Sequence, residues 1–448
     1  MELKPLNVGI VTTVSGRWPK ELPSKRHEDY SQWMVESFPK IKIVKSGNIA
    51  ANNQDIEDIA DYFVKEAVDL IVLVIGAFTG DDLTSLLAER LGVPIILWTP
   101  HEPPFDGGRL MANALVSATM NAAALHRLGY KYHFIYGDYT ESKIQAQITE
   151  LIRVYDAIKK LKRTYLGLLG YRPTGFYSST FDETLIRQKF GIKMEEFDLK
   201  LILDKAERMD ASKVAADIEI VKAMGEVRVI PESFLENHSR LTLAIRELLA
   251  EHGFNALCIK CWPELGNLHY TPCGMISRLA DEDFLIGCES DVDATLTMLI
   301  QKYLTGKTTF MTDLITIDEA ENTALFWHCG QAARSLKSEE SALVVGNHPL
   351  AGQGVAFYTT LKPGVVTVAR MSKIDGVYKL FVVKGEAIPT EQVTPGAMVK
   401  VRLEKPVNEV ICRIASEGVP HHYSLVWEDI AAEMELFARM LEIEVIQL

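Results

Sequence analysis

Over residues 1 to about 160, short apolar runs alternate with segments whose apolar residues recur at helical spacing. Strands are predicted at 8–14, 41–44, 70–75, 94–98 and 132–136. Helices are predicted near 54–66, 81–90, 110–127 and 141–160. Strict strand–helix alternation predicts a doubly wound, Rossmann-like α/β domain, and the basic stretch 159–163 marks its end. A second α/β unit begins at Tyr165, runs through a long helical region (204–253), and ends with apolar strands at 256–261, 284–288 and 308–312. From about 340 the period shortens. Runs at 355–360, 365–371, 378–383, 398–403 and 409–414 are divided by turn signals such as Lys362-Pro363-Gly364 and Asp375-Gly376, the mark of an antiparallel barrel or sandwich. A helix at 427–441 and a short strand at 444–446 close the chain. The expected organisation is two doubly wound α/β domains, 1–162 and 163–340, followed by a C-terminal antiparallel β-barrel domain, 341–448.

One segment within this pattern carries chemistry. A buried strand ends at Glu289. A helix follows over 291–304, with Val292, Leu296, Leu299, Ile300 and Tyr303 at helical spacing, and Gly306 closes it. The strand at 308–312 then ends at Asp313. Read as a βαβ crossover, the segment sets both carboxylates at the carboxyl ends of parallel strands, where open α/β sheets bind ligands. On neighbouring strands they lie about 5 Å apart, and they repel unless a cation or a shared proton joins them.

Composition narrows the partners. The 448 residues carry a net charge of −13 and no offsetting basic run, which argues against nucleic acid. No segment approaches the roughly 20 apolar residues of a membrane helix, and the first residues lack a signal-like apolar region. The six cysteines fall mostly on predicted strands, including Cys258 and Cys261, whose C-x-x-C lacks the turn a zinc knuckle needs. Reduced thiols in a cytoplasmic protein are expected. The spacing of Gly167, Gly170 and Gly175 fits neither nucleotide-binding fingerprint.

The loop predicted at 416–424 carries Gly418-Val419-Pro420-His421-His422. Adjacent side chains diverge, so at most one of the two histidines is expected to be a metal ligand. His328 is a further candidate. Glu, Asp and His together suit Mn2+, Co2+, Fe2+ or Mg2+ better than structural zinc.

Taken together these motifs resemble the L-fucose isomerase and L-arabinose isomerase superfamily. The resemblance rests on the box Cys288-Glu289-Ser290-Asp291, on Leu304-Thr305-Gly306 before the strand ending at Asp313, and on the Gly-x-x-His-His segment. It extends to Gly170-Tyr171-Arg172-Pro173-Thr174-Gly175-Phe176-Tyr177, to Phe190-Gly191-Ile192, and to Ser15-Gly16-Arg17-Trp18, which matches an N-terminal substrate loop. It implies a metal-dependent aldose–ketose isomerase in which Glu289, Asp313 and His422 hold one divalent ion, usually Mn2+, with Co2+ or Mg2+ as alternatives. Glu289 and Asp313 jointly serve as the catalytic carboxylates. His328 matches a further metal-site histidine. A homo-oligomer is implied, a hexamer built from trimers, with the first domain completing a neighbour's site. Candidate substrate-binding residues are Arg17, Trp18, Trp98, His101, Trp262, His328 and His421.

Such an enzyme moves a proton between C1 and C2 through an enediol, stabilised by a Lewis acid on O1 and O2, with a carboxylate as base. The sugar stays open. Fucose- or arabinose-type aldoses fit the resemblance, while Arg17, Lys20, Lys25 and Arg26 suit an anionic sugar such as sulfoquinovose. The competing readings are a non-catalytic sugar-binding or regulatory protein and a related metal-dependent epimerase or lyase.

Overall fold

The computed structural model describes residues 3–448, which form two compact units, Lys4–Lys159 and Lys160–Leu448. In the first, five parallel strands lie in the order Lys42–Lys45, Asn7–Thr13, Leu70–Ile75, Ile95–Thr99, Tyr132–Tyr136. Every residue of Leu70–Ile75 is buried, as befits an apolar strand covered on both faces. The strand order reverses beside Asn7–Thr13, and the loop that follows this strand carries Arg17 and Trp18. Trp18 stacks on Phe78 and takes the Arg109 guanidinium over its ring, while Arg17 is exposed.

Two expectations for this unit are corrected. Arg26 is not part of a free basic cluster. It is buried and donates to the carbonyl oxygens of Gly76 and His101, because the helix Glu21–Ser37 turns it inward. Trp98 is fully buried at the end of its strand, donates from Nε1 to Gly137 O, and is packed edge-on by Tyr30 and Trp33. Its aromatic surface belongs to the core and is closed to a solute. His101 is half-exposed, with Nε2 2.9 Å from Glu141 Oε1.

The second unit contains a four-stranded parallel sheet, ordered Leu285–Cys288, Ala256–Ile259, Tyr165–Leu169, Lys193–Phe197. The helical region after it is broken into Leu199–Glu207, Ala211–Lys222 and Glu232–His252. Six further strands of this unit form a closed antiparallel barrel. Around the ring they run Gly364–Ile374, His422–Val426, Thr309–Asp318, Thr323–His328, Ala397–Leu403 and Val377–Ile388, which pairs back to the first. The two Rossmann-like sheets and the barrel agree with the expected fold class.

The strand carrying Asp313 differs from expectation. Thr309–Asp318 does not join the parallel sheet beside Leu285–Cys288; it is a barrel strand, antiparallel to both its neighbours. The helix Val292–Thr305 therefore crosses from sheet to barrel and closes no βαβ unit. Two barrel strands consequently precede residue 340, and Lys160–Leu448 is one unit. The run at 409–414 is also not a strand. It lies in the helix Val407–Glu417, where Val407 and Val410 face the core at helical spacing and Gly418 caps the end with φ +71°. That helix delivers the chain to His422, which begins a strand and is not in a loop.

Val292–Thr305 is buried on nearly all sides, so its polar side chains must find internal partners. Gln301 donates to Thr367 O and Ser424 O and accepts from Ser424 Oγ. Thr297 accepts from Met371 N–H. Asp293 accepts from Lys373 N–H and the Tyr378 hydroxyl. These bonds fix the barrel to the helix, and the helix packs equally closely on the parallel sheet. A Cβ on Gly287 would lie 1.8 Å from Thr295 Oγ1. That hydroxyl is pinned between Asp291 O and the Cys258 thiol. Gly287→Ala is expected to lower stability by about 1–3 kcal/mol through overpacking, measured as a fall in the urea midpoint of unfolding.

Candidate active site

Glu289 follows the last residue of Leu285–Cys288, and its backbone is left-handed (φ +57°), as is that of Ser290 (φ +52°). Two consecutive residues of this kind cost about 1–3 kcal/mol each and must be held by their surroundings. Ser290 N–H donates to Ile259 O, and its hydroxyl donates to Gly170 O. The strained turn aims the Glu289 carboxylate away from the sheet and toward the barrel.

On the barrel side, Asp313 and His422 are directly opposed residues on adjacent antiparallel strands, which brings their side chains together on one face. His422 is 1% exposed. Its Nδ1 donates to Asp291 Oδ2 at 2.9 Å, and its Nε2 lies 3.5 Å from Glu289 Oε2 and 3.8 Å from Asp313 Oδ1. His421 Nε2 is 3.6 Å from the same Glu289 oxygen. Both histidines lie near Glu289, His422 from the buried side and His421, 40% exposed, from the rim. His328 is buried and its ring lies 5.6 Å from that of His422. Its Nδ1 accepts from Cys329 N–H, so the neutral ring carries its proton on Nε2.

Asp291 fixes this arrangement, and the sequence marked it only as part of a box. Its Oδ1 accepts from Ala294 N–H, capping the helix, and from Arg370 Nη2. Its Oδ2 accepts from Arg370 Nη1 and His422 Nδ1. All the groups involved are buried. Burial alone would push the Asp291 carboxyl upward, but the Arg370 guanidinium and His422 hold it far below the usual carboxylate range. The signal in the sequence was an Asp at a helix start, and Arg370, 79 positions further on, could not be linked to it without the fold.

Glu289 Oε2, Asp313 Oδ1 and His328 Nε2 are buried without hydrogen-bond partners. An orphaned polar atom in a core is costly, and three of them around one point make a ligand-shaped gap. Separations of 3.5 and 3.8 Å are too long for hydrogen bonds. They are close to the edges of a coordination polyhedron, because atoms about 2.1 Å from one ion lie about 3.0–3.4 Å apart. Glu289, His421 and His422 form one set able to hold a metal ion, and Asp313 and His422 meet His328 in a second cluster, where the proton on Nε2 makes His328 a donor. Burial raises the Glu289 carboxyl pKa, but His421, His422 and His328 together outweigh it and leave it lowered. Burial pushes His328 down to about 4. Beside these residues opens a cleft of about 400 Å3, lined by Glu289, His328, Trp262, Cys273 and His348 among others. Trp262, a candidate from the sequence, faces it and is packed edge-on by Phe176, which also covers His421.

A parallel sheet and a barrel thus meet at one carboxylate–imidazole centre beside a cleft of about 400 Å3. A sulfoquinovose isomerase from Alkalicoccus urumqiensis is 30% identical over 387 residues, 86% of this chain and 87% of that protein. Proteins of the same description from Clostridium sp. (strain MSTE9) and Priestia aryabhattai are 29% and 26% identical over 87% and 90% of this chain. The chain belongs to the sulfoquinovose isomerase family. No protein-family model matches it. Among solved structures, a periplasmic solute binding protein from Actinobacillus succinogenes with bound D-allose shares 12% identity at a TM-score of 0.18, which carries no argument.

Asp291→Ala strands the Arg370 charge in the core and frees His422. It is expected to cost about 3–5 kcal/mol, read from chemical unfolding, whereas the exposed pair Lys200–Asp204 should contribute less than about 1 kcal/mol.

Proposed function

We propose that the protein interconverts the aldose sulfoquinovose and its ketose through an enediol, with a divalent ion held by Glu289, Asp313 and His422. The observation that carries this reading is the convergence of two unpartnered carboxylate oxygens on the free nitrogen of a histidine whose other nitrogen is held by a buried carboxylate. That carboxylate–histidine pairing orients and strengthens metal-binding imidazoles. Bound there, Mn2+, or Co2+ or Mg2+ in its place, would supply Lewis-acid stabilisation of charge on O1 and O2.

The chain's own groups carry the rest. Asp291 keeps the proton of His422 on Nδ1, leaving Nε2 as a lone pair. Glu289 and Asp313 form the pair from which one carboxylate oxygen takes the proton at C2 and returns it at C1. His328 offers Nε2–H to a sugar oxygen. Trp262 and Phe176 present aromatic surface to the sugar ring and keep water from the acids. The choice of sulfoquinovose is carried by the named relatives.

A place within the L-fucose and L-arabinose isomerase superfamily and a trimer-based hexamer belong to the same proposal on the sequence resemblance, and a cytoplasmic setting belongs to it on the reduced thiols. The contribution of Arg17, Trp18 and His101 to substrate binding rests on that resemblance alone. Two observations are compatible with the setting. All six cysteines are free, five of them buried, and among the described residues no helix is long and apolar enough to cross a membrane.

The test is turnover of sulfoquinovose followed by NMR. Chelation with EDTA is expected to abolish activity and added Mn2+ to restore it, while Glu289→Gln loses about 10²–10⁴-fold in kcat with its unfolding transition intact. Full activity of the EDTA-treated protein, or of Glu289→Gln, would overturn the proposal. Sedimentation velocity is expected to show an oligomer at assay concentration; an active monomer would remove the hexamer from the reading.

A further inference from the structure

The sequence from Leu110 to Leu125 contains no Asp, Glu, Lys or Arg, in a chain that is 24% charged and carries a net −13. Most of it lies in the helix Ala114–Leu128 of the first unit. A surface helix ordinarily has one apolar and one charged face, and a helix that is apolar all round is ordinarily buried. This helix is covered on one face only. Ala114, Ser117, Ala118, Asn121 and Leu125 are buried at helical spacing. Leu115, Val116, Thr119, Met120 and Ala123 form the opposite stripe and are exposed.

The apolar surface continues past the start of the helix. The Glu102 carboxylate accepts from the N–H groups of Met111, Ala112 and Asn113, which holds the incoming chain against the first turn. Phe105, Leu110 and Met111 are left outward, 81%, 43% and 50% exposed, and Leu115, Val116 and Met120 stand at 43%, 49% and 39%. With ordinary side-chain areas these six expose on the order of 600 Å2 of apolar surface, the top of the range for a single chain, where such patches mark interaction sites. A stable dimer buries about 800 Å2 on each partner, roughly two-thirds of it apolar, and the patch matches that need.

Two copies of this chain repel through their net charge, so they approach at least cost where neither presents a charge. A two-fold axis lays the uncharged face on itself. The short side chains of Thr119 and Ala123 let two such helices come close, with Leu115, Val116 and Met120 packing around them as ridges into grooves. We infer that the outer face of Ala114–Leu128, with Phe105, Leu110 and Met111, is an interface to a second copy of this chain, formed by the same face of both. This inference rests on the proposed homo-oligomer, for which it supplies a two-fold contact, and it holds whatever sugar the enzyme takes.

The test is sedimentation velocity on wild type, Met120→Glu, Met120→Lys and an equal mixture of the two variants. Met120 is exposed, so neither charge is forced into the core of the protomer. Each variant alone sets like charges against each other across the two-fold and is expected to weaken association about tenfold or more, with particles of half the wild-type mass. The mixture sets opposite charges there and is expected to recover the wild-type mass. A second measurement needs no variant. Among the described methionines Met111 and Met120 are the exposed ones, and in an isolated chain hydrogen peroxide would convert them to sulfoxides first. In the oligomer, mass spectrometry is expected to show them oxidised no faster than the buried Met34 and Met371. A wild-type oligomer whose mass neither variant lowers, or whose Met111 and Met120 oxidise first, would overturn this face while the oligomer stands on other contacts. Separated variants that do not rejoin on mixing would overturn the pairing of like faces. A monomeric wild type would overturn both the face and the oligomer.

Discussion

The carboxylate of Asp291 is the interaction on which the second unit depends. It accepts four hydrogen bonds with no access to solvent, one from the helix it caps, two from Arg370 on the barrel, and one from His422. Removing an ion pair from water is expensive, and a buried pair is stable only when every remaining lone pair is satisfied. Here that condition is met, and the three partners come from three different parts of the chain. The carboxylate therefore does more than neutralise a charge: it fixes the angle at which the helix Val292–Thr305 enters the barrel, and with it the position of Glu289, two residues earlier. Stability and catalytic geometry are coupled through one side chain.

That coupling explains why the acids come from different layers. Glu289 reaches the centre from the edge of a parallel sheet, through a turn with two left-handed residues. Asp313 and His422 reach it from neighbouring barrel strands in fixed register. Neither layer alone assembles the centre, and the helix between them is bound to both. A shift of one residue in the pairing of Thr309–Asp318 with His422–Val426 would turn Asp313 or His422 to the opposite face. The polar bonds of Gln301 to both Thr367 and Ser424 resist that slip.

Much of this was legible in the sequence, because the informative signals were local. Alternation of apolar runs and helical spacing identified both parallel sheets, and turn signals identified the barrel. Glu289 and Asp313 were picked out as a pair, and the family resemblance added His422 to them. The errors came where local pattern is ambiguous. An apolar run such as 308–312 reads the same in a parallel sheet and in a barrel, since both bury it on two sides, and only pairing distinguishes them. The stretch 407–417 is rich in β-branched residues, yet its apolar positions follow a helical period, and the core it packs against decided the outcome. Trp98, at a strand end, and Arg26, one of four basic residues near the N-terminal loop, looked like surface chemistry, but burial is a property of the finished fold. Arg370 carried no motif at all, since it gains its meaning from Asp291, far away in sequence.

The charge balance of the centre links the layers to the substrate. Glu289 and Asp313 bring two negative charges into a site where His328 is held neutral by burial and Asp291 is already neutralised by Arg370. In the proposed reaction a divalent ion held by Glu289, Asp313 and His422 would balance the two carboxylates and supply Lewis-acid stabilisation of charge on the substrate oxygens.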